Sequence, residues 1–180
     1  MEVMSILSEK RNVMDMHYCM QCGTRLHLKR HHFEGDVPYC DTCQEFRWPM
    51  YNTAVSMIVM NEAKDRVILI RQHHKPVYVL VAGYVNRGED AEDAARREVM
   101  EELGLTVQTV HFNRSHFYPP TNTLMLNFTV TVDEPEAHPN WEVDSWRWFS
   151  VEEARANIKP DSVAQGFLNG YFTGSYRFPF

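Results

Sequence analysis

The sequence predicts an α/β domain with a mixed sheet, preceded by a small metal-binding ribbon. Beyond residue 50 the chain has no cysteine, and short β-branched runs alternate with helical patterns. We therefore expect an N-terminal segment and ribbon over residues 1–50 and a second domain over residues 51–180. The cysteines of the ribbon form two pairs in the first quarter of the chain: Cys19 with Cys22, and Cys40 with Cys43.

The composition is that of an ordinary globular protein, with 44% hydrophobic and 23% charged residues. A net charge of −6 argues against a broad basic surface for nucleic acid, so a polyphosphate ligand would need local arginines or bound cations. No apolar run approaches the roughly 18 residues of a membrane helix. Residues 1–16 mix charges through their apolar positions and lack a signal-peptide core. We expect a cytoplasmic protein with no membrane partner.

The second domain opens with three strand patterns and a helix. The apolar run at 53–60 and the alternation at 66–72 predict a hairpin, and a short β-branched strand is expected at 77–85. From Asp90 to Leu103 the pattern becomes helical, with Asp90 able to cap the helix and Gly104 placed to end it.

The rest of the domain continues the alternation of strands and helices. Two longer strands are expected at 105–117 and 123–132, with a proline-containing loop between them. A short strand at 145–150 leads into a helix that begins at Val151, and a last helix is expected over about residues 161–171.

The spacing of the cysteines predicts a zinc site. Each pair encloses two residues, so one tight turn can present two sulfurs to an ion, and 17 residues separate the pairs, as in zinc ribbons. Because four sulfurs leave no coordination position for water, such a zinc ion would be structural. A redox pair or unrelated buried cysteines are the alternatives. The basic patch at residues 27–32 is small, so nucleic-acid contact by the ribbon is a lesser hypothesis.

Glutamates crowd the second half of the predicted helix. On a helical projection Glu98 and Glu102 lie along one edge of the apolar stripe, and Glu101 lies further toward solvent. Like charges four residues apart repel each other, whereas Mg²⁺ and Mn²⁺ prefer carboxylate oxygens. The alternative is an ordinary charged surface in which Arg96 and Arg97 pair with the glutamates.

The complete spacing of residues 83–105 favours the metal site, because it resembles the Nudix box of the Nudix hydrolases. The residues that match the defined positions of the box are Gly83, Glu89, Arg97, Glu98, Val99, Glu101, Glu102, Gly104 and Leu105. The resemblance implies an α/β/α sandwich in which the box forms a loop, a helix and a loop. It also implies an enzyme that hydrolyses the pyrophosphate of a nucleoside diphosphate linked to a second group.

The resemblance assigns roles to the acidic residues of the box. Glu98, Glu101 and Glu102 would be ligands of Mg²⁺ or Mn²⁺, and Glu101 or Glu102 is, like Glu142, a candidate general base for the attacking water. Glu89 would pair with Arg97 and hold the helix to its loop.

Two further positions follow from the same resemblance. The backbone carbonyl near Ala82 and Gly83 would be an additional metal ligand. Glu142 precedes Trp148 and Phe149 at the family's spacing, which makes it a candidate metal ligand or general base. An exposed loop glutamate is the alternative for Glu142.

A four-cysteine ribbon directly before a Nudix domain is the arrangement of the NAD(H) pyrophosphatases. Residues 115–125 meet the signature of that subgroup in part, so NADH selectivity stays open. The matches are Ser115, Pro119, Leu124 and Met125, and the departures are His116, Phe117, Pro120 and Thr121.

Three aromatic residues are candidate substrate contacts by resemblance. Tyr84 and Trp48 resemble rings that contact adenine in the NADH enzymes, and Tyr118 is a conservative replacement within the signature. Packing in the core or at the junction is the alternative for Tyr84 and Trp48.

These patterns predict metal-dependent hydrolysis of a dinucleotide, with NAD(H) giving NMN(H) and AMP as the leading reaction. ADP-ribose, another nucleoside diphosphate derivative, or the NAD cap of an RNA are alternative substrates. A non-catalytic nucleotide sensor is the alternative from a different class, but the box keeps every acidic position. Catalytic Mg²⁺ or Mn²⁺, structural Zn²⁺ and a homodimer complete the expectation.

Overall fold

A computed structural model describes residues 16–133 and 136–179 of the chain. The expectation that the first residues lack a signal-peptide core concerns residues that lie almost entirely outside this described part. The chain divides into two compact units between Met50 and Tyr51. No helix among the described residues is long and apolar enough to cross a membrane.

The first unit is a three-stranded antiparallel sheet with very little core. Its strands β1 (His27–His31), β2 (Gly35–Cys40) and β3 (Glu45–Phe46) pair in chain order. Among the buried hydrophobic residues described in this unit, Cys19, Leu26 and Cys40 form one cluster, and Val37 is also buried.

The second unit is built on a six-stranded mixed sheet with three α-helices. The strands pair in the order β7-β8-β4-β5-β9, and β6 also pairs with β4. Only β4 and β8 run parallel to each other, over the full length of both strands. The strands are β4 (Asn52–Asn61), β5 (Arg66–Gln72), β6 (Val81–Tyr84), β7 (Val107–Tyr118), β8 (Thr123–Val132) and β9 (Val143–Ser150). The helices are α1 (Ala91–Leu103), α2 (Val151–Asn157) and α3 (Val163–Thr173).

Helices cover both faces of this sheet, because the central strand β4 is apolar on both sides. Val55, Met57 and Val59 belong to the core that includes the buried residues of α1. Ile58 and Met60, which alternate with them, belong to a second core with residues of α2 and α3. Alternate residues of a strand point to opposite faces, so the sheet is the middle layer. The predicted α/β/α sandwich is confirmed.

Several expected elements differ from the observed ones in extent. The predicted hairpin between β4 and β5 is paired at only two positions, Val59 with Ile68 and Met60 with Val67. The rest of β4 pairs with β6 and β8, while β5 pairs along its length with β9. The strand expected at 77–85 shrinks to Val81–Tyr84, because residues 78 and 79 form isolated bridges instead of a ladder.

The sequence prediction was right for the C-terminal end of α1 and wrong for the cap at its N-terminal end. Asp90 occupies the N-terminal cap position, but its side chain makes no capping hydrogen bond, so capping by this side chain was wrong. Glu92 and Asp93 place negative charge in the first turn, where it interacts favourably with the helix dipole. Gly104 ends the helix with a left-handed φ of 67°, as predicted.

Candidate active site

Helix α1 places its acidic residues in three different environments. Glu102 is only 3% exposed and lies on the buried side of the helix with Val99 and Leu103. The side chain of Glu98 is 13% exposed, whereas that of Glu101 is 54% exposed. The helical projection therefore placed Glu101 toward solvent correctly. It did not show that Glu102 is fully enclosed.

Arg97 ties the box loop to the helix through three carboxylates. Its Nε and Nη2 donate to the two oxygens of Glu89, at 2.7 and 3.0 Å. Its Nη1 donates to Glu98 Oε1 at 2.7 Å and to Glu101 Oε2 at 2.9 Å. Nη2 also donates to the carbonyl oxygen of Tyr84 at 3.0 Å. The bidentate pair with Glu89 is the geometry in which guanidinium binds carboxylate most strongly.

The carboxylate of Glu98 lies directly against the backbone of Gly83. A Cβ built on Gly83 would overlap the carboxyl carbon and both oxygens of Glu98. Glycine is required here because the carboxylate of Glu98 and the strand backbone approach each other closely. This contact joins the end of β6 to the acidic face of α1.

Glu102 carries the clearest electrostatic signature of the site. Its Oε2 is buried, and no hydrogen-bond partner for it is found among the described residues. Burial, followed by the charges of neighbouring carboxylates, raises the pKa of Glu102 to about 8. Those neighbours are Glu98, Glu142 and Glu101. A buried carboxylate with an unpaired oxygen and negative neighbours is favourable only if it holds a proton or binds a cation.

The loop over residues 138–142 holds Glu142 next to the end of α1. His138 donates its backbone N–H to the carbonyl of Leu103 at 2.7 Å, and Asn140 donates to that of Glu102 at 3.3 Å. A Cβ on Gly104 would lie 3.0 Å from the carbonyl oxygen of His138, so glycine also permits this approach. Glu142 follows at once, with its N–H donated to Asn140 Oδ1.

The donor set of the acidic cluster fits a hard divalent cation. Carboxylate oxygens are the ligands that Mg²⁺ and Mn²⁺ prefer, and the unpaired oxygen of Glu102 supplies a position for one. Among the described residues, only the cysteines bring three or more ligand atoms within 4.8 Å of one another. In the cluster, Arg97 Nη1 is hydrogen-bonded to both Glu98 and Glu101.

A cavity of about 330 Å³ begins at the box loop. It contains three residues that the sequence predicted for the site, Ala82, Tyr84 and Tyr118, together with Gly83. Its other lining residues were not predicted for the site: three of them fall within the 115–125 signature, and the rest belong to no motif and reach the cavity only through packing of the sheet and α3. They are Ala54, Thr121, Thr123, Met125, Lys159, Asp161, Ser162, Val163 and Pro179.

Trp48 belongs to the first unit. Its ring packs edge-on against His31, with centroids 5.4 Å apart, and lies 6.4 Å from Phe46. The ring is 48% exposed. In the structure Trp48 is therefore part of the aromatic surface of the first unit.

The four cysteines form a separate cluster in the first unit. Their sulfurs lie within 4.8 Å of one another, with Cys22 to Cys40 at 3.4 Å and Cys19 to Cys43 at 3.9 Å. All four are free thiols. Tetrahedral zinc with Zn–S bonds of about 2.3 Å places its sulfurs about 3.8 Å apart, so the cluster fits this ion.

The thiol of Cys19 has a lowered pKa, which favours its ionised form. Burial opposes the thiolate, but hydrogen bonds, the largest from Arg47, outweigh burial and lower the pKa of Cys19 to about 6. Arg47 Nε lies 3.2 Å from the sulfur. The thiolate is the form that binds metal.

The sandwich, the complete box and the acidic helix together define a Nudix domain. The chain matches the NUDIX domain family over residues 50–166 and belongs to that family.

Relatives and solved structures agree with this assignment. The chain is 31% identical over 157 residues to an "NAD-capped RNA hydrolase NudC" of Pseudomonas aeruginosa. The aligned region covers 86% of this chain and 55% of that protein. It is 27% identical over 154 residues to a protein of the same name from Vibrio parahaemolyticus, covering 85% and 58%. The chain thus spans about half the length of these relatives. The fold is shared with a NUDIX hydrolase of Nitrosomonas europaea, at a TM-score of 0.57, 20% identity, and coverage of 91% and 96%.

Proposed function

We propose that this protein hydrolyses the pyrophosphate bond of a dinucleotide with the help of Mg²⁺ or Mn²⁺, and that NAD(H) gives NMN(H) and AMP. The observation that carries the proposal is the buried, unpaired Oε2 of Glu102 among negative neighbours. A nucleotide-binding sensor would not need this costly arrangement, whereas a metal-dependent hydrolase would.

The cation would be held by Glu98, Glu101, Glu102 and Glu142, with the backbone carbonyl of Ala82 as a further ligand. When bound, such an ion neutralises the diphosphate and lowers the pKa of the attacking water. Arg97 positions two of these glutamates and, through Glu89, fixes the loop that carries Ala82 and Gly83.

Glu142 is the best-placed general base among the candidate glutamates. Glu101 is committed to Arg97, and Glu102 is enclosed by the core. The carboxylate of Glu142 makes no ion pair with a described residue, and its loop is fixed to the end of α1 by backbone hydrogen bonds. A base that accepts the proton of water must have a free oxygen within reach of it.

The cavity beside the box is the proposed pocket for one nucleoside of the substrate. Its volume of about 330 Å³ is at the small end of ligand pockets, so it accommodates one half of a dinucleotide. Tyr84 and Tyr118 offer aromatic surface to a ring. Trp48 stays a candidate contact for a second ring. Its role is proposed from the resemblance alone.

The cysteine cluster is proposed to bind one structural Zn²⁺ ion. With four sulfurs around it, the ion would have no open coordination position. It would contribute folding free energy to a unit whose described core contains a single leucine. We also propose the two domains, residues 1–50 and 51–180, a homodimer and a cytoplasmic location.

NAD-capped RNA is the second candidate substrate, because the similar proteins carry the name NAD-capped RNA hydrolase. The bond to be broken is the same in free NAD and in the cap. ADP-ribose and other nucleoside diphosphate derivatives share that bond and complete the set to be compared.

The test is to incubate the protein with NADH, ADP-ribose and an NAD-capped RNA, each with Mg²⁺ or Mn²⁺, and to separate the products. We expect Glu102→Gln to lower turnover about a hundredfold or more, the usual effect of removing one key electrostatic group. Glu152→Gln, an exposed glutamate of α2, is the matched control and should keep wild-type turnover. If none of the three is cleaved and the two variants behave alike, the proposal is wrong.

A further inference from the structure

After α3 the chain reverses and lies back along the helix. Gly174 ends α3 with a left-handed φ of 72°, in open space. The segment that follows, residues 175–179, is here called the strap. It has no regular secondary structure.

One side of the strap is seated on two glycines of α3. A Cβ on Gly166 would lie 2.5 Å from Phe178 Cδ1 and 2.6 Å from the carbonyl oxygen of Arg177. A Cβ on Gly170 would overlap the ring of Tyr176. Glycine costs about 0.5–1 kcal/mol relative to alanine in a helix interior. The two glycines therefore make α3 less stable than alanines would, but they leave the space that the strap occupies.

The other side of the strap is held by β7. The ring of Phe178 stacks on His116, with centroids 3.9 Å apart and planes at 11°. Phe178 also meets Phe167 of α3 edge-on at 5.1 Å. The guanidinium of Arg114 lies 5.0 Å above the ring of Tyr176. Two strap rings are thus clamped between a helix and a strand.

The last described residue of the strap reaches the proposed nucleoside pocket. Pro179 lines the cavity together with Tyr84 and Tyr118. Because its position follows from that of Phe178, the clamp fixes one wall of the cavity.

We propose that the strap is a positioning and specificity-determining segment, in which Tyr176 and Phe178 hold Pro179 as a wall against the nucleoside ring of the substrate. This inference rests on the proposed function, because it takes the cavity to be the nucleoside pocket. Loosening the strap should weaken binding of the substrate and leave the chemical step unchanged.

The test compares Phe178→Ala with Phe112→Ala. Phe112 is an exposed ring of β7, the strand on which Phe178 stacks, and it does not line the cavity. With the best dinucleotide substrate, we expect Phe178→Ala to raise KM about five- to tenfold, the equivalent of one lost ring contact, at unchanged kcat. Phe112→Ala should leave both constants unchanged. Phe178→Leu keeps apolar volume and serves if the alanine variant does not fold.

A double-mutant comparison tests the steric argument. Gly170→Ala should raise KM by pushing the ring of Tyr176 away, and it should have no further effect in a Tyr176→Ala background. An unchanged KM in Phe178→Ala and Gly170→Ala, or a fall in kcat at unchanged KM, would overturn the proposal.

Equilibrium binding of AMP and NMN, measured by calorimetry, separates the strap proposal from the proposed function. Weaker binding of either nucleotide to Phe178→Ala than to wild type supports the strap even if no dinucleotide is hydrolysed. Equal affinities, or no binding of either nucleotide to wild type, contradict it. Absence of turnover with intact nucleotide binding contradicts only the hydrolase.

Discussion

The carboxylate of Glu98 occupies the space in which a side chain on Gly83 would begin. Gly83→Ala must therefore displace Glu98, and a shift of about 1 Å at a reacting centre costs about a hundredfold in rate. We expect turnover to fall by about that factor, with weaker Mn²⁺ binding. If the alanine acts through Glu98, then adding Gly83→Ala to Glu98→Ala lowers turnover no further. A further drop of the same size in the double variant would contradict this mechanism.

The buried carboxyl of Glu102 predicts how the metal-free protein responds to pH. Its pKa is raised from 4.5 in the unfolded chain to about 8 in the folded protein. The folded state therefore binds the extra proton, and this group lowers stability progressively as the pH rises from about 4.5 to about 8. We expect Glu102→Gln to be more stable than wild type at pH 9 in chelator, with a smaller difference at pH 5.

Urea unfolding in chelator at several pH values measures this effect, and Glu62→Gln, an exposed glutamate in the turn between β4 and β5, is the control. Added Mn²⁺ should raise the Tm of wild type more than that of Glu102→Gln, since an ion that binds only the folded state stabilises it. An identical pH profile for wild type and Glu102→Gln would show that the burial has no energetic effect.

The pair of Glu89 and Arg97 predicts the opposite pH dependence. Hydrogen bonds from Arg97, and then from the backbone of Asn86, lower the pKa of Glu89 to about 2. Its contribution to stability is therefore complete above about pH 4.5 and is lost as the pH falls toward 2. Glu89→Gln should destabilise the protein at pH 7, and the difference should vanish near pH 2. Thermal unfolding across this range measures it, with Glu62→Gln, an exposed glutamate in the turn between β4 and β5, as control.

The local parts of this site were predictable from sequence, and the long-range parts were not. The helix from Asp90 to Leu103 sets the relative positions of Glu98, Glu101 and Glu102, because helical spacing alone determines them. The partial pairing of β4 with β5 was missed because β6 takes residues 54–57 on the same edge of β4, while β8 pairs along the opposite edge.

Residues outside the box were harder to predict because their function depends on packing across the sheet. Lys159, Asp161 and Ser162 reach the cavity only after α3 has packed on the sheet. The one sequence signal for the strap is the pair Gly166 and Gly170, four residues apart on a helix that otherwise has no need of glycine. A glycine inside a helix often has a packing reason.

The cysteine cluster predicts that the first unit depends on its metal. Its described buried hydrophobic residues are Cys19, Leu26, Val37 and Cys40, and two of these are proposed ligands, so loss of the ion removes the main source of stability. We expect about one zinc per chain by elemental analysis, and loss of it in Cys40→Ser. Thr42→Ala, next to the cluster, should keep its zinc. Full zinc content in Cys40→Ser would contradict the four-sulfur site.

The stack of His116 on Phe178 predicts a loss of stability in mild acid. Burial, and then the charge of Arg114, lower the pKa of His116 below its ordinary value of 6.5, and its Nε2 is buried without a hydrogen-bond partner among the described residues. The unfolded chain therefore takes up a proton more readily than the folded one as the pH falls below about 6.5, and the contribution of neutral His116 to stability is lost.

His116→Phe keeps a flat ring against Phe178 and removes the titrating group. We expect wild type to lose more stability than His116→Phe between pH 7.5 and pH 5, as measured by urea unfolding in the presence of zinc. The control is His111→Phe, an exposed histidine of the same strand, which should follow wild type. If both variants lose stability in parallel with wild type, then protonation of His116 does not oppose the stack. Because the same stack holds the strap, a rise in KM for the dinucleotide is expected over the same pH interval, and this rise should be smaller in His116→Phe.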